Sequence, residues 1–137
     1  MKHLLIPVAI RDAMIAQARS ELPNECCGLL AGHDDTVTHH VPLINELASP
    51  TRFRTSPQSL FLAMKQLRDL KLDTAAFYHS HPTSEPVPSR RDIEEANWPG
   101  VAMVIVSLMN DDVVLKAWQI DGEVIRSIDI SDEPCMK

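Results

Sequence analysis

Hydrophobic positions along the chain switch between a helical and a strand period, and the switch points divide it into elements. After Pro7, the residues Val8, Ile10, Met14, Ile15, Ala18 and Leu22 suit an amphipathic helix, which Pro23-Asn24 ends. Residues 3–6 before it read as a short strand. Cys26-Cys27-Gly28-Leu29-Leu30-Ala31-Gly32 is continuously apolar, as suits a buried strand. His33-Asp34-Asp35 then supplies a turn into a second strand near 36–43, so this stretch is expected to form a hairpin. Residues 44–55 are irregular except for an edge strand expected at 52–55. Ser56 and Pro57 are an N-cap and a first helical position for a helix over 57–71, with the apolar stripe Leu60, Phe61, Met64, Leu67 and Leu70.

In the second half, Thr74-Ala75-Ala76-Phe77-Tyr78-His79 reads as another buried strand, and the proline-rich stretch Pro82 to Pro88 as loop. Ser89-Arg90-Arg91-Asp92 opens a short helix reaching about Asn97. Val101–Leu108 is an apolar strand, and Val113–Ile120 and Glu123–Ile130 are two more joined by the hairpin turn Asp121-Gly122. Helices mixed with strands and hairpins predict an α/β or α+β layer fold, a mixed β-sheet flanked by helices. The apolar positions of both long helices are expected in the core. There is no internal repeat.

Composition narrows the class. The 137 residues, 45% apolar and 23% charged, make one soluble domain spanning 1–137. A domain of this size buries about two-thirds of its surface, so neither disulfides nor a structural metal is needed for a core. The net charge of −6 argues against nucleic acid as the main partner. The cysteines, Cys26, Cys27 and Cys135, are odd in number and two are adjacent, which suits a reducing compartment better than a disulfide framework. Pro7 interrupts the short apolar N-terminus before it could become a signal segment, and no run approaches the ~18 apolar residues of a membrane span. The chain is read as cytoplasmic, with no membrane association.

The chemistry concentrates in His79-Ser80-His81-Pro82, six residues, Ser89, two residues, and Asp92. Side chains at i and i+2 of a strand leave one face about 6.6 Å apart along the chain, close enough for two imidazoles to meet on one ion. Pro82 ends the strand just after the second histidine. Asp92, in the first turn of the next helix, supplies a third ligand if the 83–88 loop folds that helix start back over the strand end. Zinc with three protein ligands keeps a fourth position for water, whose pKa it lowers to ~7. A two-His, one-carboxylate iron site shares the ligand types. A carboxylate at the entrance of a buried strand is costly unless it has a partner or a task. Glu25 stands there, and a metal-activated water would give it one as proton carrier. From composition, this spaced set arises by chance roughly once in ten thousand such chains.

These residues resemble the signature of the JAMM or MPN+ metalloproteases: an upstream glutamate, H-x-H-P, six residues, and S-x-x-D. Glu25, His79, His81, Pro82, Ser89 and Asp92 match it, and Pro23-Asn24-Glu25-Cys26-Cys27-Gly28 resembles the family's context around the glutamate. The resemblance implies one Zn2+ held by His79, His81 and Asp92, with a bound catalytic water. It makes Glu25 the general acid/base and gives Ser89 a hydrogen bond to the tetrahedral intermediate. It also implies a JAB/MPN fold similar to that of cytidine deaminases. The chain is most similar to short, stand-alone prokaryotic members. For these the resemblance implies cleavage of a peptide or isopeptide bond at the C-terminal Gly-Gly tail of a ubiquitin-like or sulfur-carrier β-grasp protein, by a monomer or homodimer. A non-catalytic scaffold of the same fold is the competing reading.

The remaining polar residues have plainer readings. His39 and His40 point to opposite faces of a strand, and both, with His3 and His33, are expected in solvent. Cys26 and Cys27 are expected to pack as apolar residues, with Cys27 on the face of Glu25 and so a thiolate donor to zinc only if it ionises. Arg52, Arg54, Arg90 and Arg91 read as a solvated face rather than a basic rim for an acidic partner.

Overall fold

The computed structural model describes residues 3–96, 98 and 100–132, so Cys135 and the expected helix end at Asn97 lie outside the described residues. Within them the order is β1 (His3–Leu5), α1 (Val8–Ser20), β2 (Cys27–His33), β3 (Thr36–Leu43), α2 (Pro57–Leu70), β4 (Asp73–His81), α3 (Arg90–Glu95), β5 (Ala102–Ser107), β6 (Val114–Asp121) and β7 (Val124–Ser131). Local chemistry sets the ends. Ser56 Oγ accepts the Ser59 N–H at 3.3 Å at the start of α2, and Lys71 ends that helix in the left-handed region at φ 57°.

The sheet is mixed, as expected, but it closes. Strand order is β1-β3-β2-β4-β5-β6-β7, and β7 returns to pair in parallel with β1. The β4/β5 pair is also parallel, whereas β2/β3, β2/β4, β5/β6 and β6/β7 are antiparallel. Closure explains why 52–55 forms no edge strand. β3 already has β1 and β2 as neighbours, so the segment folds back on its own loop through the single bridge Asn45↔Thr55.

Period-2 alternation divides the interior into two layers. Leu30, Ala76, Tyr78, Val104 and Val106 pack in one core with Leu4, and with Met14 and Ala18 of α1. Cys27, Leu29, Ala31 and Phe77 pack in the other with Leu60, Ala63, Met64 and Leu67 of α2. Each fully buried leucine here contributes roughly 1.5–3 kcal/mol. The helix stripes are narrower than expected. Phe61 is 66% exposed, and Leu70, Val8 and Leu22 are about half exposed. Phe61 lies about 100° round the helix from Leu60, and Leu70 is the last residue of α2.

Two histidines expected in solvent are half-buried. Pairing of β1 with β7 brings His3 Nε2 to 2.6 Å from Ser131 Oγ. His40 sits under α1 within hydrogen-bond distance of the Tyr78 hydroxyl and, at 3.1 Å, of Gln17 Oε1. Burial lowers its pKa. His39 and His33 are exposed, as expected.

Candidate metal centre

β4 ends at His81, just before Pro82 as expected, and alternation puts His79 and His81 on the same face as Phe77, the α2 side of the sheet. The main chain of the following loop is fastened at three consecutive carbonyls. Ser107 Oγ donates to Ser84 O at 2.6 Å, His81 Nδ1 lies 2.7 Å from Glu85 O, and Trp118 Nε1 donates to Pro86 O at 3.0 Å. This pins the 83–88 loop against the ends of β4, β5 and β6, and returns the start of α3 to the strand end.

At that start Ser89 and Asp92 form a capping box. Ser89 Oγ accepts the Asp92 N–H at 3.0 Å, and Asp92 Oδ2 accepts the Ser89 N–H at 2.9 Å. The same Oδ2 lies 3.1 Å from His79 Nε2 and 3.2 Å from His81 Nε2, while the two Nε2 atoms are 3.2 Å apart. All three side chains are buried.

Three donor atoms at the corners of this triangle fit a single cation. Ligands at about 2.0–2.1 Å in tetrahedral array stand roughly 3.3 Å from one another. With His81 Nδ1 donating to the Glu85 carbonyl, Nε2 faces Asp92 Oδ2, where a neutral ring offers a lone pair to a cation and a protonated ring offers a proton to the carboxylate. Proton affinities follow from the same contacts. Burial lowers the His81 pKa, but the Asp92 carboxylate and the Glu85 carbonyl raise it on balance. Burial alone would lift the Asp92 carboxyl, yet hydrogen bonds from His79 and His81 hold it far below the usual carboxylate range.

Glu25 stands just before β2 and is 6% exposed. Burial pushes its carboxyl up to about 7, against the lowering pull of His81, while Asp92 raises it further. Its charge is thus felt by two of the three side chains of the triangle, His81 and Asp92. Cys27 pairs across the ladder with His79, but its Sγ accepts from Thr55 Oγ1 at 3.7 Å and burial pushes the thiol up to about 11. It is a packed thiol outside the group that could hold a cation. Cys26 behaves likewise, pushed up to about 12.

The structure adds contacts that the sequence pattern did not show. The Phe53 ring stacks on His79 with centroids 4.6 Å apart. Asn45, buried, donates to the Glu25 carbonyl at 3.0 Å. Ser80 Oγ accepts the Cys26 N–H at 2.8 Å behind the centre. A lone phenylalanine in a polar stretch was a faint signal for the first; nothing marked Asn45. Three of the four arginines answer to nearby glutamates, Arg54 to Glu46, Arg90 to Glu94 and Glu123, and Arg91 to Glu95, all in exposed or half-exposed pairs that suit a solvated face, and Arg52 is itself exposed.

Known proteins share this arrangement of elements. A desampylase of Haloferax volcanii is 35% identical over 138 residues, covering 96% of this chain and 97% of its own length. A CysO-cysteine peptidase of Mycobacterium tuberculosis is 35% identical over 106 residues, 76% of this chain and 73% of that protein. The solution structure of a Desulfitobacterium hafniense protein superposes with a TM-score of 0.86 at 31% identity, over 94% of this chain and 91% of that one. The family described as prokaryotic homologs of the JAB domain matches residues 7–121, and this chain belongs to that family.

Proposed function

We propose that the chain is a zinc-dependent peptidase or isopeptidase that hydrolyses the amide bond at the C-terminal Gly-Gly tail of a ubiquitin-like or sulfur-carrier β-grasp protein. The observation that carries the chemistry is the buried triangle of His79 Nε2, His81 Nε2 and Asp92 Oδ2, with edges of 3.1–3.2 Å, beside the buried Glu25. The substrate class draws support from the relatives, whose names describe a desampylase and a CysO-cysteine peptidase. A zinc ion held by the three side chains supplies Lewis-acid polarisation of the scissile carbonyl and acidifies water.

The chain's own residues do the rest. Glu25, with its carboxyl near 7, is matched to take the proton of the attacking water and to deliver it to the departing amine nitrogen. The C–N bond breaks as that nitrogen is protonated, leaving a free carboxylate on the Gly-Gly tail and an amine. Ser89 is suited to the oxyanion because its oxygen is used as the acceptor for the Asp92 N–H, which leaves the hydroxyl proton free to be donated. Capping and catalysis therefore do not compete for the same part of the hydroxyl. The Glu85 carbonyl fixes the His81 ring with Nε2 turned inward.

The test is mass spectrometry of a β-grasp carrier protein whose Gly-Gly terminus bears one added cysteine, incubated with the zinc-loaded chain. The expected product is the carrier ending in Gly-Gly, absent after chelation and restored by zinc. An intact substrate with the zinc-loaded chain, set beside cleavage by the Haloferax volcanii relative, refutes the reading.

A further inference from the structure

The connection between β3 and α2 supplies none of the three ligating side chains, yet it holds two groups at the centre. Glu25 lies ahead of the ladder, whose first pairs are Cys27↔Leu43 and Cys27↔His79. The connection holds its main chain instead. The Glu25 N–H donates to Ser49 O at 2.8 Å, and its carbonyl accepts from Asn45 Nδ2 at 3.0 Å. Asn45 is 9% exposed, and its amide is spent wholly on main chain. Nδ2 also donates to Arg52 O at 3.1 Å, while Oδ1 accepts the Leu47 N–H at 3.1 Å and the Arg54 N–H at 3.0 Å. These bonds close the loop around the amide and frame Phe53, the residue stacked on His79.

We propose that Asn45 is a positioning residue for the reaction: its amide fixes the Glu25 main chain, and with it the place of the carboxylate beside the centre. This rests on the reading of Glu25 as general acid/base. The next residue is fixed separately, since the Cys26 N–H donates to Ser80 Oγ at 2.8 Å and the Ser80 N–H to Cys26 O at 3.1 Å. Loosening Asn45 therefore releases the Glu25 carbonyl, leaves the N–H held only by Ser49 of the same loop, and keeps β2 in register. A misplacement of about 1 Å at a reacting group costs on the order of 10²-fold in rate.

The experiment compares Asn45→Asp and Asn45→Ser with Glu25→Gln and with Arg54→Ala, which removes the exposed pair with Glu46 but keeps the Arg54 N–H bonded to Asn45. Asn45→Asp keeps an acceptor for Leu47 and Arg54 and turns an oxygen toward the Glu25 and Arg52 carbonyls. With the cysteine-extended carrier as substrate, both Asn45 variants should keep one zinc per chain and a KM within about threefold, while kcat falls roughly 10–100-fold. Arg54→Ala should stay within about twofold of the parent chain. Wild-type kcat in a zinc-loaded Asn45 variant, with Glu25→Gln inactive, refutes the positioning role alone. A fall in kcat that comes with lost zinc or lost folded structure in both variants makes Asn45 merely structural and also overturns it. Turnover by Glu25→Gln refutes the base assignment, and the proposal with it.

Discussion

Glu25, the proposed proton carrier, would meet two opposed demands, because the burial that raises its carboxyl toward neutrality also makes the ionised form costly to fold. Its value of about 7, raised from 4.5, means that the folded chain binds this proton more tightly than the unfolded chain does. Its contribution to stability is therefore full below about 4.5 and is lost as pH climbs to about 7. Glu25→Gln keeps the shape without the titration. In metal-free protein, the stability of the variant relative to the parent should grow across that window by about 1–3 kcal/mol and level off above it, read from urea midpoints at a series of pH values. A difference independent of pH would show that the buried carboxylate is not strained. In zinc-loaded protein the same variant should lose roughly 10²–10⁴-fold in kcat while retaining its zinc. His79, His81 and Asp92 were legible in the sequence because strand period and helix capping each fix a direction for a side chain. Asn45 was not, since every partner of its amide is a main-chain atom and main-chain atoms leave no mark in composition.

At the scale of elements, the cap of α3 is one hydroxyl to which the proposed mechanism gives a second purpose, and substitution can separate the two. Glycine is nearly as good an N-cap as serine, so Ser89→Gly should change stability by less than about 0.5 kcal/mol. It removes the hydroxyl proton while keeping the N–H bonded to Asp92, and kcat should fall about 10²-fold if Ser89 serves the oxyanion. Unchanged turnover in that variant would leave Ser89 as a cap alone. The β2/β4 pair is less forgiving. A Cβ at Gly28 would run into the hydroxyl and ring of Tyr78, its partner across the ladder, and Tyr78 is held by Gln17 and His40. Gly28→Ala should cost about 3 kcal/mol, the upper end for overpacking. A melting temperature within about 2 °C of the parent would show instead that Tyr78 yields. Periodicity found these elements to within a few residues, but it assigned Phe61 and Leu70 to the core because an apolar side chain reads the same whether or not a sheet lies beneath it.

For the whole molecule, the decisive question is whether the ion organises the fold or only the centre. β1, three residues long, joins β3 to β7 across the full span of the described chain, a pairing too distant for any local pattern to announce. The core between the sheet and α1 contains none of His79, His81 and Asp92. These three side chains instead bring the end of β4 to α3, six residues held otherwise by their capping box and by exposed ion pairs. Chelation should therefore leave the far-UV circular dichroism in place. Zinc at about 100 times its Kd stabilises by about 2.7 kcal/mol, so its removal should lower Tm by on the order of 10 °C. Amide exchange should quicken at 82–96, where the loop and α3 meet the centre, and stay slow in β2, β4 and β5. The closed sheet would then be a scaffold that stands without the metal, with catalytic geometry added at one end. Cooperative unfolding on chelation would contradict this and give the ion a structural part in the fold.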